Sequence, residues 1–419
     1  VDESSGSYAW ASAEAREGYR AFFWTKTRTE TEKETAVIKR YLLTPGPTPV
    51  PPEVALKMAE PIIHHRTPEF STIFSEVRAG LKKLFQTAED VLVLAASGTG
   101  AMEAAVVNLL SAGDRVIVVN GGKFGERWTK ICQSFGVGVE EIKVEWGQAV
   151  AIEAVRAALD RSPEVKAVLV QASETSTTAV HPVEQIARLT RDRDALLIVD
   201  GITAVGVYDV PMDRWGIDVL VTGSQKALML PPGLAFLALS ERAWKRAERP
   251  HLPAFYFDLQ RERKNQAENT TAYTPAVSLV FGLHAVLAML EQEGYENVFR
   301  RHASLAAATR AAGQALGLEL LAPHAPSPAA TGLYLPPGIE GGKLTKYLRD
   351  KVGVSFAGGQ DHLKGKIVRI AHIGYFGEFD IVTAIAALEM ALSKFGARID
   401  LGSGVAAAER VLVERFPAI

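Results

Sequence analysis

IVDGITAVGVYDVPMDRWGIDVLVTGSQKALMLPPG, residues 198–233, decides how this chain folds. The apolar runs 195–199 and 219–221 have the composition of strands buried on both faces. Each ends in a polar residue that a buried strand does not call for: Asp200 after the first, Ser224-Gln225-Lys226 after the second. In open α/β sheets ligands bind outside the carboxyl ends of the strands, so both endings face the candidate site.

An aspartate and a lysine at such a place suit pyridoxal phosphate. The lysine condenses with the cofactor aldehyde, and the aspartate keeps the pyridine nitrogen protonated so that the ring accepts electrons. Taken without surroundings, the same pair is a helix cap at a strand end and a surface lysine, because short patterns carry little alone.

The surroundings supply the context. The run 91–105, VLVLAASGTGAMEAA, is a buried strand passing through a small-residue turn into a helix. Such a turn leaves backbone N–H groups and the positive helix end facing a ligand, which suits a phosphate, with Ser97 and Thr99 adding hydroxyls. A dinucleotide fingerprint is not met, because Glu103 stands where the third glycine belongs. Further strands read at 115–119, 165–170 and 234–239, separated by helical stretches. This alternation predicts an α/β fold, a large domain whose mostly parallel sheet is sandwiched by helices.

Phe124 lies between glycines in what reads as a turn, as a loop-packing aromatic or a platform for a flat ring. The strand ending near 170 runs into QASETSTTAVHP, where hydroxyls cluster with Glu174, and His181 reads as structural. The pattern 277–318 reads as one long amphipathic helix able to bridge two domains. Elements at 331–335, 342–352, 367–370 and 380–395 then make a smaller C-terminal α+β domain. Arg369 sits among apolar neighbours in its strand, as a carboxylate clamp or a buried ion-pair partner, and His372 reads as structural. Residues 397–419 form a tail with a helix over 406–413.

Upstream, five prolines within 45–52 favour an extended path, while Gly46 lets backbone approach a ligand closely. His64-His65 invites a metal reading without a second ligand cluster to match, so a loop whose Arg66 meets a carboxylate or a partner subunit is preferred, and no metal is expected. Residues 71–85 carry apolar side chains at helical spacing. Residues 1–38 lack the apolar centre of a signal peptide and read as a flexible extension with one short helix over 12–23. The expected division is extension 1–38, arm 39–60, large domain 61–298, small domain 299–396 and tail 397–419.

The totals set limits. The 419 residues are 47% hydrophobic and 22% charged, with a formal charge of −2, so no global field recruits nucleic acid or an anionic membrane. The single cysteine, Cys132, excludes an internal disulfide and a multi-cysteine zinc site, and fits a cytoplasmic protein. No apolar run reaches the length of a membrane span.

Taken in order, LLTPGPTPVPPEV, HHRTPEF, SGTGAMEA, ETSTTAV, VDGITAVG, GSQKALMLPPG, NTTAYTPAVSL and KIVRIAHIG resemble the class V, fold-type I pyridoxal phosphate aminotransferases. The nearest group is the alanine–glyoxylate and serine–pyruvate (serine–glyoxylate) enzymes, and the likeness runs from about residue 41 to 396. It implies that Lys226 is the Schiff-base lysine and proton carrier, Asp200 the pyridinium partner and Phe124 the stacking ring. It implies Ser97, Gly98, Thr99 and Gln225 around the phosphate, joined from a second subunit by Thr271 and Thr274, hence a homodimer with shared sites. Ser176 would reach the ring hydroxyl, Ile202 would border the ring, Arg369 would grip the substrate carboxylate, and Pro45 and Gly46 would border the substrate.

The activity so implied is transamination of alanine or serine with glyoxylate or pyruvate. Aspartate or ureidoglycine is the alternative donor. A cysteine desulfurase needs a mobile thiolate, for which Cys132 in an apparent helix is poorly placed. A non-catalytic pyridoxal phosphate- or NAD-binding subunit is the remaining alternative.

Overall fold

The computed structural model describes residues 38–249 and 252–416. The extension expected at 1–38, with its short helix, lies almost wholly outside the described residues.

Seven strands form the central sheet: β1 (Val91–Leu94), β2 (Arg115–Asn120), β3 (Gly138–Lys143), β4 (Ala167–Gln171), β5 (Leu196–Asp200), β6 (Val219–Gly223) and β7 (Ala235–Leu239). Their spatial order is β1-β7-β6-β5-β4-β2-β3, and β7 alone runs antiparallel to its neighbours. The chain leaves β2 outward to β3 and returns to lay β4 on the other side of β2. That reversal opens a crevice at the carboxyl ends of β2 and β4, where open sheets bind ligands.

Alternate residues of each strand enter opposite cores. Val91, Ile117, Val168, Leu197 and Val199 pack on one face, covered by α2 (Pro68–Phe85, preceded by α1, Pro52–Met58) and by helices Ile152–Arg161 and Val183–Thr190. Leu92, Val116, Leu169, Ile198 and Val221 pack on the other, under α3 (Gly98–Leu109) and α4 (Lys123–Ser134). With both faces covered, the strands are near-continuous apolar runs, which is why they were legible as strands.

Several expectations need correction. The run 277–318 is two helices, α5 (Val277–Glu293) and α6 (Tyr295–Ala315). Gly294 separates them at φ +81°, a conformation costly for residues with a Cβ. The proline run is not extended to its end, because Pro52 starts α1 at the first helical position, where a missing N–H costs nothing. Phe124 is in the first turn of α4 rather than in a loop. Strand β3, GVEEIK, escaped notice because it is an edge strand, paired only with β2 and half-covered.

Toward the C-terminus, β8 (Ala330–Tyr334), β9 (Ala357–Gly358) and β10 (Ile367–Ala371) form an antiparallel sheet in the order β8-β10-β9. It shares a core with α6, α7 (Glu378–Lys394) and α8 (Ser403–Leu412). Helix α8 is built into this core rather than trailing from it: Ala408 and Leu412 are buried, and buried Glu389 accepts from the backbone N–H of Gly402, Gly404 and Val405. A carboxylate on these orphan amides caps the helix start.

Candidate active site

Asp200 is the last residue of β5, hydrogen-bonded in register with Gln171 of β4 and Val221 of β6. It is 4% exposed, and its Oδ1 accepts from the Ile202 N–H at 2.8 Å. Burial pushes the Asp200 carboxyl up to about 7; the Ile202 N–H opposes this, the Glu174 charge adds to it, and Arg127 and Lys226 pull back.

Lys226 follows β6 by three residues. Its Nζ donates to the Pro45 carbonyl at 2.6 Å, and its own carbonyl accepts from Thr48 Oγ1 at 2.9 Å. Burial lowers the amine to about 8; Asp200 works against the shift, and the charges of Arg369 and Arg127 work with it. By surface area the residue as a whole is only half-buried, so the lowering belongs to the ammonium end enclosed by the 44–48 loop. That loop approaches closely because Gly46 is a glycine at φ +135°: a Cβ there would stand 2.6 Å from Lys226 Cε.

The two displaced groups give the ligand-free chain opposite pH dependences. Between about 8 and 10.5 the unfolded lysine holds a proton that folded Lys226 has lost, so stability rises with pH through that window. Between 3.8 and about 7 folded Asp200 holds a proton that the unfolded carboxyl has lost, so its contribution falls as pH rises. Urea unfolding across pH should show the alkaline gain in wild type and not in Lys226→Met. A wild-type-minus-variant difference that is flat from pH 8 to 10.5 would refute the buried amine.

Beyond β4, Glu174 is fully buried and saturated. Its Oε2 accepts from the N–H groups of Phe124 and Gly125, each at 3.0 Å, and its Oε1 from the Ser176 N–H at 3.1 Å and the Ser176 hydroxyl. Ser176 Oγ in turn accepts from the Lys123 N–H at 3.0 Å. The first turn of α4 therefore has its orphan amides taken by these two side chains, which pins the backbone that carries the Phe124 ring. One turn along α4, the Arg127 guanidinium lies 4.8 Å from the Phe124 ring centroid and donates to Thr99 Oγ1 at 3.0 Å.

Ser97 stands at the start of α3 in an extended conformation and makes no side-chain cap bond. Gly98 is buried against Ile202, and Thr99 faces Arg127. Gln225 Oε1 is buried without a hydrogen-bond partner. Amides at a helix start and two hydroxyls form a cradle for an anion, whereas the unpaired Gln225 oxygen is an acceptor and calls for a donor instead.

Arg369 reaches the site from β10. It is 7% exposed, donating Nε to the Gly358 carbonyl at 3.0 Å and one terminal nitrogen to the Thr175 carbonyl at 2.7 Å. Its bonds go to carbonyls and no carboxylate pairs with it among the described residues, which removes the ion-pair reading and leaves a guanidinium edge for an anion. Burial lowers it to about 10, with the Glu174 charge opposing.

Other candidates stand apart. Thr271 Oγ1 donates to the Tyr273 carbonyl at 2.6 Å, and with Thr274 it lines a crevice shared with Phe74, Leu234 and Tyr256, which includes neither Lys226 nor Asp200. His64 and His65 are neighbouring rings on the surface, Arg66 is exposed, and no metal-holding group of three His, Cys, Asp or Glu occurs among the described residues. Buried His372 donates its Nδ1–H to the Pro328 carbonyl and accepts at Nε2 from the Thr331 hydroxyl, and buried His181 accepts from the Val150 N–H; both are structural. Cys132 is buried and its thiol is pushed up to about 12, the reverse of a reactive thiolate.

Arg127 is what sequence reasoning missed. Its signal was present: three residues after Phe124 on a helix, it must share that ring's face.

The model of the family described as Aminotransferase class-V matches residues 40–369. The "Soluble hydrogenase, small subunit" of Synechococcus sp. is 47% identical over 89% of this chain and 98% of its own length. The L-aspartate–glyoxylate aminotransferase of Paracoccus denitrificans is 36% identical over 87% of this chain and 94% of its own. Among solved structures, ureidoglycine–glyoxylate aminotransferase from Bacillus subtilis superposes with a TM-score of 0.85 at 30% identity, covering 90% of this chain and 99% of that one. No described helix is long and apolar enough to cross a membrane.

Proposed function

This chain belongs to the class V aminotransferases, with their fold-type I architecture, and on that premise we propose that it uses pyridoxal phosphate to transaminate a small amino acid, alanine or serine, with glyoxylate or pyruvate. The observation that carries the reading is the pairing at the ends of β5 and β6. A buried carboxylate and an enclosed amine sit within each other's field, the first displaced up to about 7 and the second down to about 8. Such opposed displacement marks acid–base machinery.

The residues fit the cofactor. At the start of α3 the Ser97 hydroxyl makes no cap bond and is free to donate, so Ser97, Gly98 and Thr99 would hold the phosphate, joined by Gln225 through the NH2 side of its amide. Asp200 would hold the proton on the pyridine nitrogen, Phe124 and Ile202 would flank the ring, and Ser176, whose hydrogen is spent on Glu174, would meet its hydroxyl only as an acceptor. When bound, the cofactor supplies an aldehyde for the amino group and an electron sink for the substrate Cα. Lys226 Nζ, depressed to about 8, is available unprotonated near neutral pH to take the Cα proton and return it elsewhere. Arg369 orients the substrate carboxylate, and Pro45 and Gly46 close the site around the lysine.

Glyoxylate as acceptor gains support from two relatives whose names differ in donor yet share it. Thr271 and Thr274 lie away from Lys226 within one chain, which fits a homodimer in which Thr271 of the partner subunit and Thr274 of the partner subunit complete each site.

The test is a half-reaction screen. Loaded protein is mixed with alanine, serine, aspartate or ureidoglycine, and cofactor absorbance is followed without acceptor. Alanine or serine should convert it fastest. Faster conversion by aspartate or ureidoglycine would replace the donor assignment, and no conversion by any donor would overturn the activity.

Arg369→Lys tests the clamp. Lysine keeps charge but loses the fork, so KM for the donor should rise about 10- to 100-fold with a smaller fall in kcat. An unchanged KM would show that Arg369 only ties Thr175 to Gly358.

A further inference from the structure

Three cations converge on the site, and only two have been given work. Lys226 carries the proton and Arg369 receives the substrate carboxylate. The third, Arg127, has no carboxylate partner among the described residues; its contacts are the Phe124 ring face and the Thr99 hydroxyl. Its contacts with Phe124 and Thr99 set it beside the site, near enough for its charge to act on both Asp200 and Lys226. A partly buried guanidinium without a counter-ion is costly unless an anion completes it.

The hydrogen bond to Thr99 shows where that anion belongs. Thr99 Oγ1 spends its acceptor capacity on Arg127, which leaves its own hydrogen free to donate. The hydroxyl lies in the first turn of α3, beside the buried Gly98 and the uncapped Ser97. Amides and hydroxyls alone would present a phosphate dianion with neutral donors; a guanidinium behind Thr99 supplies formal charge.

We propose that Arg127 is an anion-binding residue of this site that neutralises the cofactor's phosphate alongside the Thr99 turn, leaving no free cation for a second carboxylate on the amino donor. The inference rests on the cofactor assignment above and sharpens it, because a site with its third cation committed to phosphate selects donors with uncharged side chains. Stacking on Phe124 holds the guanidinium plane in place, a role a lysine ammonium fills poorly.

The experiment is equilibrium binding of pyridoxal phosphate and of pyridoxal, which lacks the phosphate, to cofactor-free wild type, Arg127→Met and Arg127→Lys. Removing a charge-assisted bond should weaken pyridoxal phosphate by about 30-fold in Arg127→Met while leaving pyridoxal within a few-fold, with Arg127→Lys in between. Equal losses for both ligands would overturn the proposal and make Arg127 a support for the ring. Unchanged pyridoxal phosphate affinity with selective loss of the aspartate half-reaction would also overturn it, in favour of a side-chain carboxylate site. Should Arg127→Met fail to fold, thermal stabilisation by inorganic phosphate decides: it should be present in wild type and reduced in Arg127→Lys, and equal stabilisation refutes the assignment. Wild type that binds no pyridoxal phosphate would instead remove the cofactor reading itself, a result distinct from all of these.

Discussion

Lys226→Ala is expected to lower turnover by at least about 10⁴-fold, the upper range for a positioned acid–base group, because on the proposed role the same change would also remove the covalent anchor. The loss should not come from unfolding. Wild type holds this amine against the Pro45 carbonyl with its basicity depressed to about 8, so the folded state carries a cost at neutral pH that alanine relieves. A melting temperature equal to or above that of wild type, with turnover gone, is the expected pair of results. Small primary amines added to the variant should restore part of the proton transfer, since the space vacated beside Gly46 opens onto the substrate. Turnover within about tenfold of wild type would remove Lys226 from the chemistry.

Asp200→Ala should cost the next largest factor, on the order of 10³-fold in kcat/KM, about 4 kcal/mol of transition-state stabilisation. In the ligand-free chain the carboxyl is displaced up to about 7 by burial, with the Ile202 N–H as its one direct hydrogen-bond partner among the described residues. A cationic ring nitrogen beside it would return it to the ionised form, so the loaded enzyme should show no activity limb near pH 7 from this group. Asp200→Asn keeps the shape and the Ile202 bond but loses the charge, and should fall nearly as far as alanine. If Asp200→Asn retained most of the activity, the carboxylate would be a strand-end structural group and the pairing with Lys226 would lose its meaning.

Much of the site could be read before any coordinates. Asp200 and Lys226 announce themselves because polar residues end apolar strands, and the sheet rule then places both at one edge. The turn at 97–99 is legible for the same local reason, a strand running into a helix through small residues. Glu174 was visible as a carboxylate among hydroxyls, but not that it spends itself entirely on the α4 amides and Ser176. Arg127 was not singled out: its spacing from Phe124 could have shown the shared face, but nothing local reveals that Thr99, 28 positions away, meets its guanidinium.

By itself, the sequence determined the parallel sheet, its two covering layers and the strand ends that carry the acid and the amine. These follow from burial patterns that repeat within a few residues, and a few residues are enough to show them. Tertiary structure alone decided that Pro45 and Gly46 enclose a lysine some 180 positions later (|i−j| = 181 for Pro45), that Arg369 meets no carboxylate among the described residues, and that α8 belongs to the C-terminal core. Those are long-range choices. They depend on which surfaces the closed chain brings together, and no local period in the sequence records them.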